Sequence, residues 1–156
     1  MKITVRSAKQ KDIESICLVH HAAVYALEGG PYKKDILEAW AAAVTPKVIQ
    51  KGMDTSDIIG FVAEVEGTVI GFGAMHCDEI RAIYVHPNFQ KKGVGSKLLA
   101  RLETKAIENG FHHLNLNASL NARFFYKAHN YKVIKEVLFA LTEKMSMESL
   151  KMEKDI

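Results

Sequence analysis

A chain of 156 residues has the length of one domain with a substantial core, so residues 1–156 are read as a single unit. Its composition, 48% hydrophobic and 25% charged, is ordinary for a soluble globular protein, and the net charge of +3 is too small and too scattered for a nucleic-acid-binding surface. No apolar run approaches the length of a membrane span, and Met1 to Arg6 lacks the apolar stretch of a secretory signal, so a cytoplasmic protein is expected.

The elements follow in chain order. Ile3 to Val5 reads as a short strand. Asp12 can cap a helix that carries Ile13, Ile16, Val19 and Ala23 at helical spacing, broken by Gly29-Gly30-Pro31. A second helix is expected from about Lys33 to Ala43, and Pro46 opens a helical turn leading to Gly52. The β-branched and aromatic runs Ile58 to Val65 and Thr68 to Met75, joined by Glu66-Gly67, predict a hairpin. Glu79 to Val85 is a third strand in this region, stopped by His86-Pro87.

Gly93 to Asn109 is the strongest helix in the chain. Val94, Leu98, Leu102 and Ala106 form one side, Lys97, Arg101, Lys105 and Glu108 the other, and Gly110 ends it. A short strand at His113 to Leu116, a helix at Leu120 to Ala128, and strands at Tyr131 to Phe139 and about Met147 to Met152 complete the order β-α-α-β-β-β-α-β-α-β-β. The long helix between the strands at Glu79 and His113 implies a parallel crossover, whereas the hairpins are antiparallel. The expected fold class is α/β (α+β), a mixed, mostly antiparallel sheet flanked by helices.

The segment Gln90-Lys91-Lys92-Gly93-Val94-Gly95-Ser96 stands where a strand and loop enter the long helix. The first turn of a helix has N–H groups without intrahelical partners and a partial positive charge, which together hold anions. Gly93 and Gly95 would let a ligand approach the backbone, and Lys91 and Lys92 add positive charge, so a pyrophosphate is a fitting ligand. The Walker pattern and the three-glycine dinucleotide pattern are both absent.

The stretch from Glu79 to Glu103, with Gln90-Lys91-Lys92-Gly93-Val94-Gly95 at its centre, resembles the acyl-CoA-binding segment of the GNAT superfamily of N-acetyltransferases. A second stretch, Asn117 to Ile134 with Asn121, Phe125 and Tyr126, is similar to that family's following helix, and the element order agrees over nearly the whole chain. The resemblance implies a GNAT-like fold with acetyl-CoA as cosubstrate. It departs at Asn130, where the family usually has glycine; asparagine tolerates the left-handed conformation needed there.

The resemblance further implies that Ile83, Tyr84 and Val85 pair with the pantetheine arm and that Val85 offers an oxyanion N–H. The backbone from Lys91 to Ser96, including Gly93, Val94 and Gly95, would hold the pyrophosphate. Gln90 and Asn121 would contact the cosubstrate, and Lys91 or Lys92 either reaches the phosphates or is plain surface. Tyr126 matches the tyrosine that relatives use as the acid on the leaving thiolate, the alternative being simple packing. Glu79 is the candidate base, set against an ion pair with Arg81 and against Asp78, His76 or solvent as rivals. Tyr25, Glu28, Tyr32 and Trp40 are candidates for the acceptor pocket, with Trp40 equally readable as a core anchor.

No metal is expected, because neither His20-His21 nor His112-His113 has a chelating spacing. Cys17 and Cys77 make no disulfide framework and read as small core residues, with no activating set for a nucleophile. The expected activity is acetyl transfer to a primary amine of a small molecule or a protein by direct attack in a ternary complex. A non-catalytic acyl-CoA-binding sensor or interaction module is the alternative. Neither nucleic acid nor membrane is an expected partner. A homodimer is allowed, with the apolar run Val137 to Leu141 in its interface or in the core.

Overall fold

The computed structural model describes residues 1–156. Its elements are β1 (Thr4–Ser7), α1 (Ile13–Tyr25), α2 (Lys34–Ala42), α3 (Pro46–Met53), β2 (Ile58–Val65), β3 (Thr68–His76), β4 (Glu79–Val85), α4 (Val94–Glu108), β5 (His113–Ser119), α5 (Arg123–Ala128), β6 (Lys132–Ala140) and β7 (Ser146–Asp155). One seven-stranded sheet has the order β1-β2-β3-β4-β5-β7-β6. Every neighbouring pair is antiparallel except β4 with β5, as the crossover through α4 requires. The mixed, mostly antiparallel sheet between helices is the architecture expected from the sequence.

Helices cover both faces. On one, α4 buries Val94, Leu98, Leu102 and Ala106 against Leu114, Leu116, Leu150 and Met152 of the sheet. On the other, α1 and α2 bury Ile16, Val19, Val24, Leu37 and Trp40 against Val62, Phe72 and Met147. Burying a large apolar side chain stabilises by roughly 1.5–3 kcal/mol, and the 3.6-residue stripes of α1 and α4 place one in each turn.

Three local expectations change. Asp12 does not cap α1 with its side chain. Its buried carboxylate instead accepts from Arg6 Nη1 at 2.8 Å, Arg6 Nη2 at 2.9 Å and the Lys9 N–H at 2.8 Å, tying β1 to the turn before α1. Cys17 is buried but Cys77 is not a core residue; it sits exposed in the β3–β4 turn with φ +53°. The run Val137 to Leu141 divides: it ends the sheet's outer strand β6, where Leu138 is 73% exposed, while Leu141 packs against the core beside α2. Asn130 does take the left-handed conformation, with φ +69°.

The sheet opens between β4 and β5. They pair at only two positions, Glu79 with Asn115 and Ile80 with Leu116, and then part. On its other side, β4 stays paired with β3 but carries one extra residue, Arg81, because Met75 faces Ile80 while Ala74 faces Ala82. A bulge bends a strand locally. It also puts Ile80 and Ile83 on the same α4-facing side, while Ala82 and Tyr84 face α1.

Candidate active site

The gap between β4 and β5 is a cavity of about 400 Å³. Ile80 to Tyr84 line one side, Leu116 to Ser119 the other, with Trp40 of α2, Tyr126 of α5 and Phe139 of β6 closing it.

The backbone of β4 is unpaired along this gap. The His86 N–H donates to the Ile70 carbonyl at 2.8 Å. Bonded and non-bonded residues alternate in an antiparallel pair, so Tyr84 and Ala82 turn their N–H and C=O groups to β3, whereas Val85 and Ile83 turn theirs to the gap. The Val85 carbonyl accepts from Gln90 Nε2 at 3.0 Å, which leaves the N–H groups of Val85 and Ile83 facing the opening. This edge can take an extended chain bearing amides.

The edge leads to the start of α4. Gly93 is the residue before the helix, with φ +85°, and nothing lies within 4 Å of where its Cβ would be. Lys91 before it is also left-handed at φ +60°. Successive backbone N–H groups in such a turn make a concavity for anions. Gly95 serves another purpose: a Cβ there would lie 3.0 Å from Phe125 Cε1, so its absence lets α5 press against the first turn of α4. The same junction is bonded through His129, whose Nδ1 reaches the Phe125 carbonyl at 2.9 Å and whose Nε2 reaches Ser96 Oγ at 3.0 Å. Val94 is buried, so only its backbone is available to a ligand, while Lys91 and Lys92 are exposed. The Lys92 ammonium lies 5.8 Å from the centre of the Phe89 ring.

Tyr126 is 6% exposed, lines the cavity, and its hydroxyl has no protein partner. Burial, with the Tyr84 phenol nearby, pushes its pKa well above the ordinary tyrosine range, so it holds its proton at neutral pH. Glu79 also lines the cavity, and its Oε1 accepts from Arg81 Nε at 2.9 Å. The ion-pair alternative is therefore present, while Oε2 has no protein partner.

The four acceptor-side candidates separate. Trp40 is buried and also lines the cavity. Tyr32 is buried behind it; its hydroxyl accepts from the Leu120 N–H at 2.8 Å and donates to the Glu148 carbonyl, tying the α1–α2 loop to β7. Tyr25 and Glu28 are exposed and lie off the cavity wall. Asn121, in the short turn before α5, is exposed and makes no side-chain hydrogen bond. No three His, Cys, Asp or Glu side chains gather as a metal site, and no helix is long and apolar enough to cross a membrane.

Two features escaped sequence reasoning. One is the Tyr84 side chain, whose direction depends on the Arg81 bulge. The other is His20, fully buried behind the cavity wall. Its position four residues after Ile16 and four before Val24 was the available signal that it lies on the buried stripe of α1.

Comparison with known proteins identifies the family. Residues 22–155 match the family described as Acetyltransferase (GNAT) domain. The structure is similar to the GCN5-related N-acetyltransferase of Rhodopseudomonas palustris, with a TM-score of 0.91 and 24% identity over 100% of this chain and 97% of that one. It is also similar to the PaiA N-acetyltransferase of Thermoplasma acidophilum in complex with coenzyme A, with a TM-score of 0.84 and 21% identity over the full length of both chains. An Escherichia coli K12 protein described as uncharacterized N-acetyltransferase YafP is 24% identical over 134 residues, which are 86% of this chain and 84% of that protein. These structural likenesses establish the fold, and the family match spans most of the chain: the protein belongs to the GNAT acetyltransferase family.

Proposed function

We propose that the protein transfers an acetyl group from acetyl-CoA to a primary amine, by direct attack of the amine within a ternary complex. The observation that carries this reading is the continuous path from the Gly93 turn, along the unpaired edge of β4, to the unpartnered Tyr126 hydroxyl. The coenzyme A complex of the Thermoplasma relative supports the donor. So does the fit of chemical groups: free N–H groups at the start of α4 suit a pyrophosphate, and those of Ile83 and Val85 suit the amides of a pantetheine arm.

In this reading the backbone from Lys91 to Ser96 holds the pyrophosphate, with Lys91 and Lys92 adding positive charge, and Asn121 contacts the cosubstrate. Gln90 braces the Val85 carbonyl so that the Val85 N–H can meet the thioester oxygen as negative charge builds on it. Tyr126 donates its proton to the departing sulfur, a role that its raised pKa suits because the phenol stays protonated until then. The amine must lose a proton to attack. Glu79 Oε2 takes it through water, the Arg81 partner holding the carboxylate in place.

Titration calorimetry with acetyl-CoA, run beside an assay of thiol release in a mixture of primary amines, tests the proposal. Heat of binding together with amine-dependent thiol release is expected. Absence of acetyl-CoA binding would overturn it, and firm binding without thiol release would make the domain an acyl-CoA sensor.

A further inference from the structure

The Tyr84 side chain lies on the α1 side of β4, away from the backbone edge just described. Three neighbouring side chains hold it. Phe72 stacks on its ring at 5.4 Å, with the planes 22° apart. His20 packs edge-to-face at 4.6 Å and Trp40 at 6.1 Å. Trp40 Nε1–H also donates to the Tyr84 oxygen at 3.1 Å. Trp40 is braced in turn by Tyr32, 5.8 Å away, whose hydroxyl has both its bonds filled.

Two polar capacities in this cluster are unused. The Tyr84 hydroxyl has accepted one hydrogen bond, but its own proton and a second lone pair have no protein partner, and the residue lines the cavity. His20 is fully buried and neither ring nitrogen is bonded. Leaving buried polar atoms unpaired costs about 1–3 kcal/mol, so an aliphatic residue would hold the fold better. The imidazole instead packs edge-to-face against the Tyr84 ring, and that contact fixes the ring.

The charge on the cavity wall is equally informative. Its one carboxylate, Glu79, is bonded to Arg81. The remaining polar groups are neutral: Tyr84, Tyr126, Asn117, Ser119 and Ser149. Trp40, Tyr84 and Phe139 present aromatic surface beside them. A polycation finds too few counter-charges in such a pocket. A single amine on an apolar body finds aromatic faces for the body and for its charge, and a phenol that can bond the nitrogen in either protonation state.

We propose that the Tyr84 hydroxyl recognises the acceptor amine, that His20 and Trp40 are its positioning residues, and that the acceptor class is a monoamine carried on an aromatic or aliphatic body. The proposal rests on the acetyltransferase reading and deepens it.

The test uses acetyl-CoA with 2-phenylethylamine as the acceptor probe and spermidine as the polycation. The wild type is expected to favour 2-phenylethylamine at least about tenfold in kcat/KM. Tyr84→Phe is expected to raise its KM about five- to tenfold, the worth of one neutral hydrogen bond, with a much smaller change in kcat. His20→Leu is expected to raise KM similarly, and the double variant no further than the larger single effect, because both act on one hydroxyl. Calorimetry with acetyl-CoA reports separately whether each variant keeps its fold and its donor site. The protein has a single tryptophan, Trp40, so its fluorescence during titration of 2-phenylethylamine into the protein–CoA complex reads acceptor binding without turnover. A preference for spermidine, or a Tyr84→Phe variant with unchanged KM and an unchanged fluorescence midpoint, would overturn the proposal. Failure of acetyl-CoA itself to bind would instead overturn the acetyltransferase reading.

Discussion

Two buried side chains on the two sides of the sheet do different work. Tyr126 is held protonated by burial, and its hydroxyl is left free for a ligand. Replacing it by phenylalanine keeps the ring and removes only the proton donor, so kcat is expected to fall about 10²-fold or more while the acetyl-CoA dissociation constant stays within a few-fold. Steady-state kinetics beside calorimetry checks this, and unchanged turnover would remove Tyr126 from the acid role. His20 makes stability depend on pH. Burial, and then the charge of His21, lowers its pKa from 6.5 to about 4. Between these values the unfolded chain binds a proton that the folded chain does not, so stability falls as pH drops from about 6.5 to 4, by about 2–3 kcal/mol. Asp12 acts in a separate window. Its carboxyl is lowered from 3.8 chiefly by the Arg6 hydrogen bonds, so its contribution is present above that value and lost only below it. Urea midpoints measured from pH 7 to 4 should fall for the wild type and stay nearly level for His20→Leu; parallel curves would sink this account.

At the scale of elements, the decisive junction is the start of α4. The two glycines there have different causes, which their spacing alone does not reveal. Gly93 needs its left-handed φ of +85°, and a Cβ there costs about 1–2 kcal/mol of backbone strain while touching nothing. Gly95 lies inside the helix and needs only the room taken by Phe125, 3.0 Å from where its Cβ would be. Gly95→Ala is therefore expected to destabilise by about 1–3 kcal/mol through overpacking, and a second change, Phe125→Leu, should recover part of the loss. Gly93→Ala should show no such rescue. Chemical denaturation of the four variants separates the two causes; equal rescue in both backgrounds would contradict the assignment.

For the whole molecule, the outstanding feature is the outer edge of the sheet. β6 spans nine residues and leaves Ile134 51% and Leu138 73% exposed beside an unpaired backbone edge. Natural proteins seldom leave such an edge free. Antiparallel pairing of two copies about a two-fold axis would cover this edge and set side chains of like facing opposite one another. A dimer of the 17.4 kDa chain is expected, with Phe139 of each cavity wall close to the joint. Leu138→Lys, which puts a charge on the exposed apolar edge, should yield monomers in sedimentation equilibrium. A monomeric wild type at assay concentrations would end this expectation.

The sequence by itself determined the order of elements, the crossover helix and the glycine turn that opens it. Each depends on local periodicity and on a few residues whose conformational needs are local, such as Gly93 and Asn130. It also determined the family, through Gln90-Lys91-Lys92-Gly93-Val94-Gly95 and the segment around Tyr126. Only the tertiary structure decided which of Tyr25, Glu28, Tyr32 and Trp40 meets the cavity, because that choice depends on how the α1–α2 segment packs across β4 and β7. Only the structure placed Val137 to Ala140 on the outer strand, since strand order is a long-range property and an apolar run reads alike at the centre of a sheet and at its edge. The direction of the Tyr84 side chain was hidden for the same reason. The Arg81 bulge shifts strand parity by one, and whether a side chain meets Trp40 and His20 or the opposite core is then settled by contacts far away in sequence.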